Sequence, residues 1–381
     1  MVLPGGGRHD RLGVVKPLAL LVLASVLAAP AARAQDITVR ENPRDLERRR
    51  AILQGLDYLA EVQNRDGSFG DIRKGGVGIS ALCLLAFMAQ GHQEGRGRYA
   101  SGDRDVLRKG VNFLLSCSLA PRDAQHPLVS GVKGYPVGYI YREEDADSRM
   151  HGHGYATQVL VLAYGQAVPD SERARELKEK IRRAVWVIDQ SQTTTGGWGY
   201  EPRHSTTHEG SVTVTVVQAL RLAAGAGFVV DKETHRRGLA YLRESQKDDG
   251  SFKYSTMSDH SSAALTAAAL TAMHGFGEYY SESVDRGLRY LKDRYRFPDR
   301  VQWPFYGHYY AAQAFYRAGD EDWAFWNARC VPHILGQRNI AGYWDDNDLQ
   351  MRRGSHGRAY ATSLAVLALS VPDGYLPLFQ R

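Results

Sequence analysis

The chain has 381 residues, 43% of them hydrophobic and 24% charged, with 48 Lys and Arg against 42 Asp and Glu. That composition excludes a disordered chain and a polytopic membrane protein, and a formal charge of +6 is too small to point to a nucleic-acid partner. Three cysteines exclude a disulfide framework, and no Cys-x-x-Cys pair is present.

Arg8, Arg11 and Lys16 precede an apolar stretch at 18–29, and Ala32-Arg33-Ala34 places small residues where a signal peptidase reads them. This order predicts a signal peptide over 1–34 and an exported protein, periplasmic or secreted. Cleavage after Ala34 removes Arg8, Arg11, Lys16, Arg33 and Asp10, so the net charge falls by three, to +3. The apolar run is too short to span a bilayer comfortably. An uncleaved anchor is the alternative, and it too leaves the body outside the cytoplasm. Cys83 and Cys117 fall in apolar helical runs and are expected as buried thiols.

From residue 45 onward the chain repeats. Gln63-Asn64-Arg65-Asp66-Gly67-Ser68-Phe69-Gly70 matches Gln246-Lys247-Asp248-Asp249-Gly250-Ser251-Phe252. Gln192 with Gly197-Trp198-Gly199, and Gln337 with Gly342-Tyr343-Trp344, follow the same order. Degenerate copies run from Phe113 to Gly138-Tyr139 and from Tyr290 to Gln302-Trp303. Each of the six units ends one apolar helix, turns at Gly, and seats an aromatic ring. The Gly permits the reversal, the ring plugs the junction, and the Gln amide can satisfy groups at helix ends.

Two helices are predicted per unit. The first is amphipathic, as at 172–190 and 232–245, where apolar residues recur at helical spacing among Arg, Lys and Glu. The second is apolar almost all round, at 79–89, 155–167, 212–224, 262–273, 309–317 and 360–369, and must be buried. Val212 to Val216 alternates like a strand, but the repeat register makes it helix. Six charged helices around six apolar ones give an all-α ring of two concentric layers in a single domain over 35–381. A Gly- and Tyr-rich connection at about 121–150 interrupts the repeat.

The two Gln-x-x-x-Gly-Ser-Phe motifs resemble the QW repeats of squalene and oxidosqualene cyclases and of protein prenyltransferase β-subunits. The resemblance covers most of 45–371 and implies an (α/α)6 toroid with a central cavity. Activity does not follow, because unrelated functions share that toroid. A squalene-type cyclase carries Asp-x-Asp-Asp at an inner-helix start; here Asp259-His260-Ser261-Ser262 keeps only the first acid. Asp145-Ala146-Asp147-Ser148 fails similarly, and Asp345-Asp346-Asn347-Asp348 reads as a solvated acidic loop. A prenyltransferase needs Asp-x-Cys and a distant His for zinc, where this chain has Glu209-Gly210-Ser211 and Tyr360-Ala361-Thr362. No cofactor is expected. The pair His151 and His153 has the residue type of metal ligands, but without a Cys or carboxylate at fixed spacing no metal is expected either.

What collects at the predicted inner-helix starts is polar and aromatic. The candidate site residues are His151, His153, Tyr155, His208, Glu209, Asp259, His260, Tyr306, His308, Tyr309, His356, Arg358 and Tyr360. For each, helix capping or packing is the structural alternative to a role in binding. Six helix N-termini around one mouth, with Arg358 and any protonated His, favour an anionic or hydroxyl-rich ligand. On that reading His153, His308, His356 and Arg358 converge, and binding weakens as pH rises through about 6–7. The partner is a small molecule, lipid or glycan. A divergent isoprenoid cyclase or transferase, and a polysaccharide lyase or hydrolase, remain the alternatives.

Overall fold

A computed structural model describes residues 42–380 apart from 71–75, 102–103, 122–134, 146–148, 204–205, 207, 295–302 and 346–355. The expected signal segment at 1–34, much of the 121–150 connection and Asp346 to Asp348 therefore lie outside the described residues. Among those described there are twelve α-helices and no strand beyond isolated bridges. None of these helices is long and apolar enough to cross a membrane.

The outer helices are α1 (Pro43–Glu61), α3 (Val106–Ser116), α5 (Glu172–Gln190), α7 (Lys232–Glu244), α9 (Glu282–Arg294) and α11 (Asp320–Gly336). The inner ones are α2 (Gly76–Met88), α4 (Arg149–Gln166), α6 (Gly210–Gly225), α8 (Ala263–Gly275), α10 (Pro304–Ala318) and α12 (Arg358–Ser370). Helix α2 packs on α4, α4 on α6, α6 on α8, α8 on α10, α10 on α12, and α12 back on α2. The all-α (α/α)6 toroid is therefore closed. Val212 to Val216 is helical and buried, because its inward and sideways faces both meet other helices.

All six inner helices run the same way. Gly78 meets Gly152 near the starts of α2 and α4, while the Gln90 amide donates to Ser370 Oγ (2.9 Å) beyond the ends of α2 and α12. The starts form a mouth and the ends a floor. The inner helices begin earlier than their apolar runs: α4 starts at Arg149 and α10 at Pro304. The histidines and glycines that read as loop thus lie within first turns. Gly152 and Gly154 are there because α2 and α6 approach them closely, at Gly78 and Thr215.

The repeated turns share one hydrogen-bond pattern. The Gln63, Gln192 and Gln246 amides each donate to the carbonyl four residues on, and to Val106, Thr234 and Ser283 in the first turn of the next outer helix. The N–H groups of Phe69, Trp198, Phe252 and Trp344 donate to Ser80, Thr213, Thr266 and Thr362 on the inner helix that follows. Gly196 sits at φ +94°, and a Cβ there would lie 2.4 Å from the Arg237 carbonyl oxygen. Each turn thereby ties three helices together.

At the floor the chain continues past α12 through short 3-10 turns at Val371–Asp373 and Pro377–Phe379. The second reaches α6, on the opposite side of the ring from α12. Leu376, Leu378 and Phe379 are buried there, and the Phe379 ring lies 6.4 Å from Tyr309. Cys83, Cys117 and Cys330 are all buried free thiols.

Candidate functional site

The mouth is assembled from the first turns of α4, α6, α10 and α12. Glu209 caps α6. Its Oε1 accepts from the Ser211 N–H (3.1 Å), its Oε2 from the Val212 N–H (3.0 Å), and the Ser211 hydroxyl donates to the carboxylate at 2.6 Å. His151 Nε2 stands 2.8 Å from the same Ser211 Oγ. Glu209, Ser211 and His151 thus form one hydrogen-bonded chain from α6 to α4. Burial raises the Glu209 carboxyl above its ordinary range, against the three donors that favour its ionised form. Burial, with His356 nearby, pushes His151 down to about 3, so its imidazole is neutral at any physiological pH.

One helical turn below His151 the lumen is bridged. The Tyr155 and Tyr310 hydroxyls meet at 2.8 Å, joining α4 to α10 across the full width of the ring. Gln218 Nε2 donates to Gln313 Oε1 (2.9 Å), joining α6 to α10 over the intervening α8. Tyr306 packs edge-on against Tyr310, and Tyr309 lies beside it, so tyrosine fills the axis. Above the bridges stand His151, Ser211, Tyr306, His356 and Tyr360, with the His356 ring 5.0 Å from Trp303 and 4.8 Å from Tyr360.

Other sequence candidates face elsewhere. His153 accepts from the Ile140 N–H and donates to the Ala184 carbonyl, both at 3.1 Å, so it points outward to α5 and is held down to about 4 by burial. His308 is buried between α10 and α11, with His333 at 5.6 Å and Trp326 at 6.4 Å. His208 lies against α7, within reach of the Tyr241 hydroxyl (3.1 Å) and Thr256. Asp259 has a side chain 96% exposed beside Lys253, and His260 is also exposed. Arg358 is exposed, pairs with Asp345 (3.2 Å) and covers the Tyr343 ring.

His153, His308, His356 and Arg358 therefore do not converge. Alternate residues of a helix face opposite ways, which separates His151 from His153. The same divergence removes His151 and His153 as a joint metal pair, and among the described residues no group of three His, Cys, Asp or Glu could hold a metal. The expected pH response loses His151, His153 and His308 as sources, since burial depresses all three rather than charging them. Sequence reasoning missed Ser211, Tyr310, Gln218 and Gln313. Their signal is spacing: 306, 310 and 313, and 211 and 218, lie along single helix faces.

No protein-family profile matches the sequence, and no curated protein does. Solved structures do. The type II terpene cyclase MstE from Scytonema, in its apo form, is 16% identical with a TM-score of 0.55, over 88% of this chain and 100% of its own. The same enzyme solved with geranylgeranyl dihydroxybenzoate gives 15% and 0.54, over 88% of this chain and 99% of that one. The GH76A α-1,6-mannanase of Salegentibacter sp. HEL1_6 is 10% identical with a TM-score of 0.54, over 86% of this chain and 98% of its own. At these identities the likeness is one of fold, and it defines the class as an α/α toroid.

Proposed function

We propose that this chain is an exported, divergent member of the QW-repeat toroid superfamily that binds a hydroxyl-rich ligand at the mouth of its inner barrel. The carrying observation is the pair of bridges, Tyr155 to Tyr310 one turn below His151 and Gln218 to Gln313 two turns below Ser211. Above them stand neutral hydrogen-bonding groups and ring faces, which suit hydroxyl groups, while the tyrosines fill the axis where an isoprenoid would need an open channel. The anionic half of the expectation loses support, since the mouth imidazole of His151 is neutral and Arg358 is already paired. A mannanase of the same fold, solved as an inactive variant with α-1,6-mannotriose, supports a sugar-like ligand class.

One feature favours a second reading, isoprenoid cyclisation: Glu209 is a buried carboxyl of raised proton affinity at the mouth. It would have to replace the Asp-x-Asp-Asp acid, and the bridges would have to open.

Calorimetric titration with neutral oligosaccharides, squalene and geranylgeranyl diphosphate separates the two. The expected result is saturable binding of an oligosaccharide, weakened about tenfold by His151→Ala, the loss of one hydrogen bond to the ligand. Binding should stay flat between pH 6 and 8. Turnover of an isoprenoid that Glu209→Gln abolishes, with no sugar bound, would overturn it in favour of the cyclase.

A further inference from the structure

Two arginines in the protein are buried to nearly the same degree, and they are treated differently. Arg48 is 7% exposed and makes a forked pair with Asp373 (2.7 and 3.0 Å) besides donating to the Leu369 carbonyl. Arg317 is 8% exposed and, among the described residues, bonds only the Leu378 carbonyl and has no hydrogen-bond partner for its Nε. Burial, with repulsion from another cation, Arg221, holds Arg317 down to about 10. Arg221 donates to the His274 carbonyl and to the Tyr279 hydroxyl, each at 2.9 Å. Among the described residues no carboxylate bonds either guanidinium.

His274 completes the group. It is 1% exposed, stacks on Tyr279 at 5.6 Å, and among the described residues neither ring nitrogen has a hydrogen-bond partner. Both arginines act on it electrostatically. The three residues come from the last turns of α6, α8 and α10, at the floor, and Arg221 and Tyr279 are only half-buried, so the edge of the group meets solvent on that side.

Carbonyls at helix ends attract guanidinium groups and account for the bond from Arg221 to His274. They do not account for the Arg317 Nε–H or for an imidazole with two orphaned nitrogens, since buried polar groups are almost always satisfied. A buried cation without a counter-charge is costly, and its remedy is an anion.

We propose that Arg221, His274 and Arg317 form a binding site for a small oxyanion at the floor of the toroid, separate from the mouth. An oxyanion presents several acceptor oxygens to the free Arg317 Nε–H and to the imidazole. Guanidinium groups are well matched to such ions.

Thermal melting of the whole protein tests it, in potassium chloride against potassium phosphate and potassium sulfate at matched ionic strength. A specific site raises Tm by about 4 °C at a hundredfold excess of phosphate over Kd. General stabilisation by kosmotropic anions is common to every variant, so the difference from Arg221→Gln is what is read. That variant should lose the specific rise, whereas Arg98→Gln, which breaks an exposed pair with Asp57, should keep it. If Arg317→Gln does not fold, equilibrium dialysis of radiolabelled phosphate against wild type and Arg221→Gln carries the test. Equal rises in wild type and Arg221→Gln would mean an adventitious ion only, and would overturn the proposal. So would the absence of any rise in wild type.

Discussion

The belt of turns and the mouth they surround solve opposite problems. In the belt, Gln63, Gln192 and Gln246 make the same two bonds, and Phe69, Trp198, Phe252 and Trp344 sit in the same socket. At the mouth the units no longer agree: one inner helix offers His151, another Glu209 with Ser211, another Ser262, another Tyr306. Repetition marks where the units must lean on each other. Departure from repetition marks where the molecule meets something else.

Trp198→Ala should have the largest effect on stability. It removes a fully buried ring and the Nε1–H bond to the Ile188 carbonyl (2.8 Å), and should cost about 3–5 kcal/mol in denaturant melts. Ligand binding in the surviving folded fraction should not change. Gly196→Ala comes next. A left-handed backbone costs an alanine about 1–2 kcal/mol before its Cβ meets the Arg237 carbonyl. If either change altered ligand affinity while sparing stability, the division between belt and mouth would fail.

Two histidines on one helix sharpen the division. His153→Leu leaves the Ile140 N–H and the Ala184 carbonyl without partners and should cost about 1–3 kcal/mol, with binding intact. His151→Leu should do the reverse. Tyr155→Phe, the smallest change, orphans the Tyr310 hydroxyl inside the lumen and should cost about 1 kcal/mol.

The buried histidines also set a pH response. His151, His153, His274 and His308 are all depressed by burial, so each binds its proton more readily in the unfolded chain. Their contribution is complete above the unfolded value of about 6.5 and is lost as pH falls toward the folded values, at up to about 1.4 kcal/mol per pH unit for each group. Glu209, Asp145 and Asp189, raised in the fold by burial, Asp189 to about 6, act the opposite way near their own ranges, but they are three groups against seven once His92, His208 and His333, also depressed, are added. Stability should therefore decline from pH 6.5 to 4.5, and His153→Leu should flatten that decline.

The toroid was legible in sequence because its signals are local and repeated: Gln, four residues to Gly, then an aromatic. The α5 boundaries, Glu172–Gln190, coincide with the charged periodic segment itself. Helix starts were less legible, since Gly152, Gly154 and Gly307 imitate loop while serving close packing or lying in a first turn. The site was legible only in part. Residue type placed His151 and Glu209 at the mouth, but whether a first-turn side chain faces the lumen or the outer layer depends on a rotation of about 100° per residue. That rotation turned His153 and His308 away from the site. The bridges across the ring join helices far apart in sequence, and no local pattern announces them.

The tail that crosses the floor fixes an order of events during synthesis. Helix α1 packs against α12, and Arg48 reaches Leu369, 321 residues further along, and Asp373, so the first helix finds this neighbour only when α12 has been made. Until those residues exist, the inner helices form an open arc with two raw apolar edges, and such edges are where unfinished chains aggregate. Each added hairpin lengthens the arc without removing an edge. Only α12 and the turns that follow it remove both, and they close the floor as well. A nascent chain that has not yet reached α12 therefore gains little protection from the eleven helices already made.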